Sequence, residues 1–197
     1  MDVFQLTELK IKLGTILSQQ ELAQLDQQSE FGKLYTLALN YCMLRPHSEK
    51  EIRDYLWKKT LPRKLRNKKT GELYEKKGVS LESVSQTIIR LKEKRYVDDE
   101  KFTRFWVENR NRHQGSSLRK LRSELTQKGV ALDIQNKILS ETTRNDAEEL
   151  QKIIAKKSKR YNDPQKLMRY LVSQGFSYND VKKSLQSSET TTTTCLD

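Results

Sequence analysis

Cysteine is nearly absent. The only two, Cys42 and Cys195, fall in an apolar helical stretch and in the C-terminal tail. No structural disulfide is expected from them, in keeping with a reducing cytoplasm. Proline (three) and glycine (seven) are also scarce, which argues against a loop-rich or all-β chain and for long helices. No apolar run reaches the ~20 residues of a membrane span, and no secretory leader is visible. His47 and His113 have no Cys or acidic partners at ligand spacing, so no metal centre is expected. Gly78 and Gly115 stand alone, so no phosphate-cradling loop is read. Ser116 and Ser117 have no base arranged near them in sequence. The adjacent carboxylates Asp98–Asp99 and Glu148–Glu149 stand at or near helix starts, where acids favour the positive end of the helix dipole. No catalytic residue and no cofactor is expected, and the chain does not read as an enzyme.

What is present is positive charge. The 197 residues carry 38 Lys and Arg against 26 Asp and Glu, a net +12. Residues 31–95 alone hold 17 basic and 7 acidic residues. Such a balance points to a polyanionic partner: nucleic acid, a nucleoprotein or an acidic protein surface. For any single cation, plain solvation of a helix is the commoner role. Apolar residues make up only 35% of the chain, so a thin, extended core is expected rather than a globe.

Tyr96–Val130 organises the chain. Asp98 suits an N-cap, and Val97 with Phe102 has the spacing of a hydrophobic staple. Phe102, Phe105, Trp106 and Asn109 recur at helical spacing and predict one largely aromatic, core-facing side. Gly115–Ser116–Ser117 stops that helix and opens another, lined by Leu118, Leu121 and Leu125 and closed by Gly129.

The same unit recurs. Align the caps Ser48, Ser117 and Asp163. Four residues on stand Ile52, Leu121 and Leu167; eight on, Leu56, Leu125 and Leu171. Twelve on stand Thr60, Gly129 and Gly175, then Leu61, Val130 and Phe176. Helices are expected before each cap (31–44, 99–112, 146–161) and after each stop (81–95, 132–140, 179–186). Thr60 breaks the glycine pattern, and Ala131 is a poor cap beside its counterparts Ser80 and Ser177. Trp57, next to Leu56, has no assigned side. Residues 61–79 interrupt the first unit with seven cations against Glu72 and Glu75; with Lys69–Thr70–Gly71 as a turn, they read as a β-hairpin or a mobile loop. The expected organisation is an extension (1–30), repeat one (31–95, with the insert 61–79), repeat two (96–142), repeat three (143–188) and a disordered tail (189–197). Within the extension, Gly14 separates a short amphipathic piece from a helical one over 18–26.

Tyr96–Val97–Asp98–Asp99 with Phe102, then Arg110, Gly115, Leu121, Leu125 and Lys128–Gly129–Val130, together with Arg45–His47–Ser48, resemble the RecX family over about residues 31–188. The resemblance implies an all-α fold of three tandem three-helix, helix-turn-helix-like repeats in an elongated, curved body. It implies a non-enzymatic modulator, an inhibitor, of the RecA recombinase in DNA repair, recombination and the SOS response. The partner is the RecA filament, with single-stranded DNA contacted as part of it. A cytoplasmic monomer without membrane contact is expected. Relatives often carry a small strand-containing extension before the repeats, here at most a stub. The residues expected to touch the filament are Arg63, Lys64, Arg66, Lys68 and Lys69 of the insert, and Arg110, Arg112, Arg119, Lys120, Arg122 and Lys128 of repeat two. Two alternatives stand beside this reading. One is a direct nucleic-acid-binding protein with 117–129 as the second helix of a helix-turn-helix. The other is a helical adaptor for an acidic protein.

Overall fold

The computed structural model describes residues 16, 18–113, 115–142, 144–161 and 163–190, without the side chains of 111–113, 159 and 187–190. The expected piece before residue 15, most of the threonine tail and Cys195 lie outside these residues. Among the described residues, nine α-helices and one two-stranded sheet follow in order: α1 Gln19–Leu44, α2 Glu49–Thr60, β1 Arg63–Arg66, β2 Leu73–Lys76, α3 Leu81–Glu93, α4 Asp99–His113, α5 Leu118–Gln127, α6 Leu132–Ser140, α7 Asp146–Lys157, α8 Pro164–Ser173 and α9 Tyr178–Thr190. The chain divides into two compact units, the first ending at Asp98 and the second starting at Asp99.

The first unit packs α1, α2 and α3. Leu34, Ala38, Ile52, Leu56, Val84, Ile88, Leu91 and Val97 form its core. Each helix starts where a serine satisfies an otherwise orphaned N–H. Ser18 and Glu21 form a full capping box on α1, Ser48 Oγ accepts from Glu51 N–H, and Ser80 Oγ accepts from Ser83 N–H. The helices expected over 18–26 and from 31 are one helix, α1. Leu25, Ser29, Leu34 and Ala38 all fall on its buried side, so the apolar stripe continues across the join.

The second unit holds two three-helix clusters. Phe102, Val107, Leu121, Leu125, Val130 and Leu139 pack α4, α5 and α6 together. Leu150, Ile153, Ile154, Leu167, Leu171, Phe176 and Val181 do the same for α7, α8 and α9. Val97 belongs to the first unit's core and Phe102 to this second cluster, so the pair does not act as the expected staple. The aromatic side of α4 is also rotated from expectation. Phe102, Thr103 and Val107 are buried, Phe105 and Trp106 are half-buried, and Asn109 faces solvent. At the C-terminus α9 runs to Thr190, past the boundary at which the disordered tail was expected.

All three repeat caps act as caps. Ser117 Oγ accepts from Lys120 N–H and Asp163 Oδ1 from Gln165 N–H, in step with Ser48. The i, i+4 pairs that follow (Ile52/Leu56, Leu121/Leu125, Leu167/Leu171) are all buried. Gly129 and Gly175 take φ of 77° and 90°, the left-handed stop that a side chain resists. Ala131 makes no side-chain cap. Instead the buried Gln135 amide donates to Val130 O at 2.9 Å and Thr126 Oγ1 at 3.2 Å, tying α6 to the end of α5.

Candidate nucleoprotein interface

The insert is a β-hairpin that departs from the first repeat and returns to the same point. Its strands pair antiparallel, Arg63 opposite Lys76, Lys64 opposite Glu75, Leu65 opposite Tyr74 and Arg66 opposite Leu73. The tip is an Asx turn: Asn67 Oδ1 accepts from Lys69 N–H at 2.9 Å, and Gly71 N–H donates to Asn67 O at 2.8 Å. Gly71 has φ 76°, which explains glycine there. Arg66 Nε closes the tip on Gly71 O at 2.9 Å. At the base, Val79 N–H donates to Lys59 O at 3.0 Å. A Cβ on Gly78 would lie 1.8 Å from Thr60 O, so only glycine lets the two chain ends touch.

This geometry corrects one register assignment. Leu61, aligned with Val130 and Phe176, is half-exposed, whereas Val79 packs against the core. The repeat continues from Thr60 to Val79 and Ser80, matching Gly129–Val130–Ala131 and Gly175–Phe176–Ser177. The eighteen residues 61–78 are spliced in between.

Arg63, Lys64, Arg66, Lys68 and Lys69 are all exposed on this hairpin. Arg63 Nη2 donates to Lys58 O at 3.0 Å. Among the described residues, no carboxylate lies within ion-pairing range of Lys64, Lys68 or Lys69. A cleft of about 430 Å³ separates the hairpin from α1, with Asp26, Glu30 and Lys33 on one side and Arg63, Leu65 and Lys76 on the other. Above it, Glu30 Oε1 accepts from Ser80 Oγ at 2.7 Å and Ser80 N–H at 2.9 Å. Burial raises the Glu30 pKa, but these bonds and one from Ser83 outweigh it and leave it below the ordinary glutamate range.

The cations of repeat two divide into two kinds. Arg110 and Lys128 brace the packing of α4 on α5. Arg110 Nε and Trp106 Nε1 both donate to Glu124 Oε2 at 2.9 Å, and the Arg110 guanidinium and Lys128 ammonium lie 4.9 and 5.1 Å from the Trp106 ring centroid. That is a cation–π arrangement. Arg119 and Arg122 face solvent on α5, and Lys120 is half-buried. Arg112 lies on α4, with its side chain outside the described residues. Trp57 is exposed. Sequence reading passed over Tyr74, Leu65 and Leu73, the apolar side chains interleaved with the hairpin cations. Their alternation with charge was the available signal.

The start of α5 is occupied within the protein. Ser117 N–H and Oγ both donate to Gln174 O at 3.1 Å. Leu118 N–H donates to the Asp146 carboxylate at 2.9 Å. Alongside, the Arg144 side chain is 2% exposed and sits 3.6 Å from the buried Glu149 Oε2. Burial pulls its guanidinium pKa below the ordinary arginine value, against the opposite pull of Glu149 and Asp146. Among the described residues no group of His, Cys, Asp and Glu could hold a metal ion, and no helix is long and apolar enough to cross a membrane.

Two family models match this chain: RecX, first three-helix domain, over residues 35–67, and RecX, second three-helix domain, over 98–139. Curated relatives agree. The regulatory protein RecX of Oceanobacillus iheyensis is 28% identical over 77% of this chain and 50% of its own length. That of Lactobacillus johnsonii is 30% identical over 66% and 41%. The chain thus spans about half the length of these relatives. A crystal structure of a regulatory protein RecX superposes with a TM-score of 0.65 at 21% identity, covering 91% of this chain and 83% of that one; at that identity it speaks for the fold. The first model falls on α1, α2 and β1 and the second on α4 to α6, in the family's order, and together with the curated relatives they support assignment of this chain to the RecX family.

Proposed function

We propose that this protein modulates the RecA recombinase, as an inhibitor and without catalysis, by binding in the groove of the RecA–DNA filament. It would act in the cytoplasm, as a monomer, in DNA repair and recombination. The observation that carries the reading is the basic hairpin standing on a RecX three-helix unit: seven cations in residues 61–79, four of them on strands exposed at every position. A helical nucleoprotein offers repeated phosphates and protein surface to such cations at once. The hairpin residues Arg63, Lys64, Arg66, Lys68 and Lys69 make the filament contacts in this proposal. Arg119, Lys120 and Arg122 with Arg112 form the second contact set, and Arg110 and Lys128 hold the helix that presents it. Single-stranded DNA is met as part of the filament.

The competing reading makes α5 a recognition helix. Such a helix contacts bases through its N-terminal residues, but here that end is bonded to Gln174 and Asp146. The geometry therefore favours the filament.

The test is ATP hydrolysis by the cognate RecA on single-stranded DNA, with this protein titrated in. Inhibition well below the RecA concentration is expected. Unchanged hydrolysis, together with tight, sequence-selective binding to bare DNA, would overturn the reading in favour of the recognition helix.

A further inference from the structure

We propose that the hairpin Arg63–Lys76 is itself a grip for single-stranded nucleic acid, set into the first repeat as a module the helical core does not need. The inference deepens the reading above and rests on it only for the source of the strand, the DNA of the filament.

Three observations carry it. First, the insert leaves and rejoins the repeat at one point, Thr60 against Gly78, and the core cluster contains no hairpin residue. An isolated two-stranded hairpin is marginally stable in water, so this one was not added to build the core. Second, its charges are arranged for a counter-ion. Arg63 faces Lys76 directly across the ladder, and like charges in that position destabilise a strand pair. Among the described residues, Lys64, Lys68, Lys69 and Lys76 have no carboxylate within ion-pairing range. A phosphate chain laid along the ribbon relieves that repulsion and releases its own counter-ions. Third, apolar surface is interleaved with the charge. Leu65 lies opposite Tyr74, and Tyr74 and Leu73 are 50% and 74% exposed. A duplex hides its base faces, whereas a single strand bares them for stacking on an aromatic ring amid cations. An acidic protein surface would answer the charge but not the ring.

The experiment measures anisotropy of a labelled oligothymidylate, and of a duplex of equal length, at two salt concentrations. The full chain is compared with three variants: Tyr74→Ala; Lys68→Glu with Lys69→Glu; and excision of residues 61–78 with Thr60→Gly, which restores the glycine stop of the other repeats. Circular dichroism and the unfolding midpoint establish that each variant folds. The full chain is expected to prefer the single strand. Tyr74→Ala should weaken binding about 5-fold or more, the low end for stacking one base. The charge reversal should weaken it at least about 10-fold at low salt and flatten the salt dependence, and excision should abolish it. The inference is overturned if the folded, excised protein binds as the full chain does, or if the duplex binds equally and Tyr74→Ala changes nothing. If the bare strand is not bound but excision removes inhibition of RecA, the hairpin touches protein; this inference falls and the filament reading stands. If strand binding follows the hairpin but RecA never responds, the inference stands and the filament reading falls.

Discussion

The stop after α2 and the stop after α8 occupy the same place in the repeat and are built oppositely. After α8, Gly175 is wedged against the next-door repeat. A Cβ there would lie 2.3 Å from Ser117 Oγ and 3.0 Å from Lys120 N, and Gln174 O takes both donors of Ser117. After α2, the chain swings out for eighteen residues and returns. A packed corner admits no insertion, because the lengthened chain would displace its neighbour's cap. A solvent-facing corner admits one at little cost, because loop-closure entropy grows slowly with length. The insert stands at a corner that no neighbouring repeat closes.

That contrast can be broken most severely at the buried pair beside the packed corner. Arg144→Ala leaves Glu149, 7% exposed in its side chain, with only the solvent-exposed Lys152 at 2.9 Å. A loss of about 3 kcal/mol is expected by urea unfolding, with slowed hydrogen exchange lost in α7 and α8 but kept in α1 to α3. A smaller loss, about 2 kcal/mol, is expected for Gly175→Ala, from the left-handed backbone together with the Ser117 clash. Gly71→Ala is the matched control in the hairpin. Its φ of 76° carries the same backbone strain, but its only near neighbour is the Arg66 guanidinium at 3.6 Å, so it should cost no more than about 1 kcal/mol. Equal effects at the two glycines would mean that packing at the second corner contributes nothing.

Two finer measurements sharpen the comparison. Ser117→Ala should cost about 1 kcal/mol, because Ser117 caps its helix and also donates to Gln174 O. The last effect is acid sensitivity of the first unit. Glu30 is held below the ordinary glutamate pKa, as is Glu49, chiefly through its hydrogen bond from Lys92 and then that from Arg53, against burial. A lowered folded-state pKa stabilises at pH above about 4.3, the unfolded value, and that stabilisation is lost as pH falls below it. Exchange protection at the start of α3 should therefore fall on acidification through this range in the wild type and not in Glu30→Gln.

Much of the fold was legible because its determinants are local. The side chains of Ser48, Ser117 and Asp163 accept from backbone N–H groups two or three residues on, and the i, i+4 leucines and isoleucines lie one helical turn apart. The misreadings that bear on the candidate site were non-local. Leu61 satisfied the apolar register, yet Val79 holds the place, since only the closed hairpin brings it beside Lys59. Val97 and Phe102 have staple spacing but pack into separate cores. Arg110 and Lys128 read as surface cations, yet Glu124, fourteen residues beyond Arg110 and eighteen beyond Trp106, draws Arg110 and the Trp106 ring into a brace that Lys128 also joins. At the hairpin, composition announced the charge, while strand register alone placed Arg63 against Lys76 and Tyr74 among the cations.

By itself, then, the sequence determined the approximate places of the helices among the described residues, the threefold cap-and-stripe repeat and a strongly basic insert, because capping, amphipathic period and net charge are properties of short stretches. Tertiary structure alone decided which glycine stop is wedged against a neighbouring repeat, which cations are spent on internal packing, and that residues 61–78 leave and rejoin the core at a single point. Those depend on groups distant in the chain meeting in space, and no local preference encodes such a meeting.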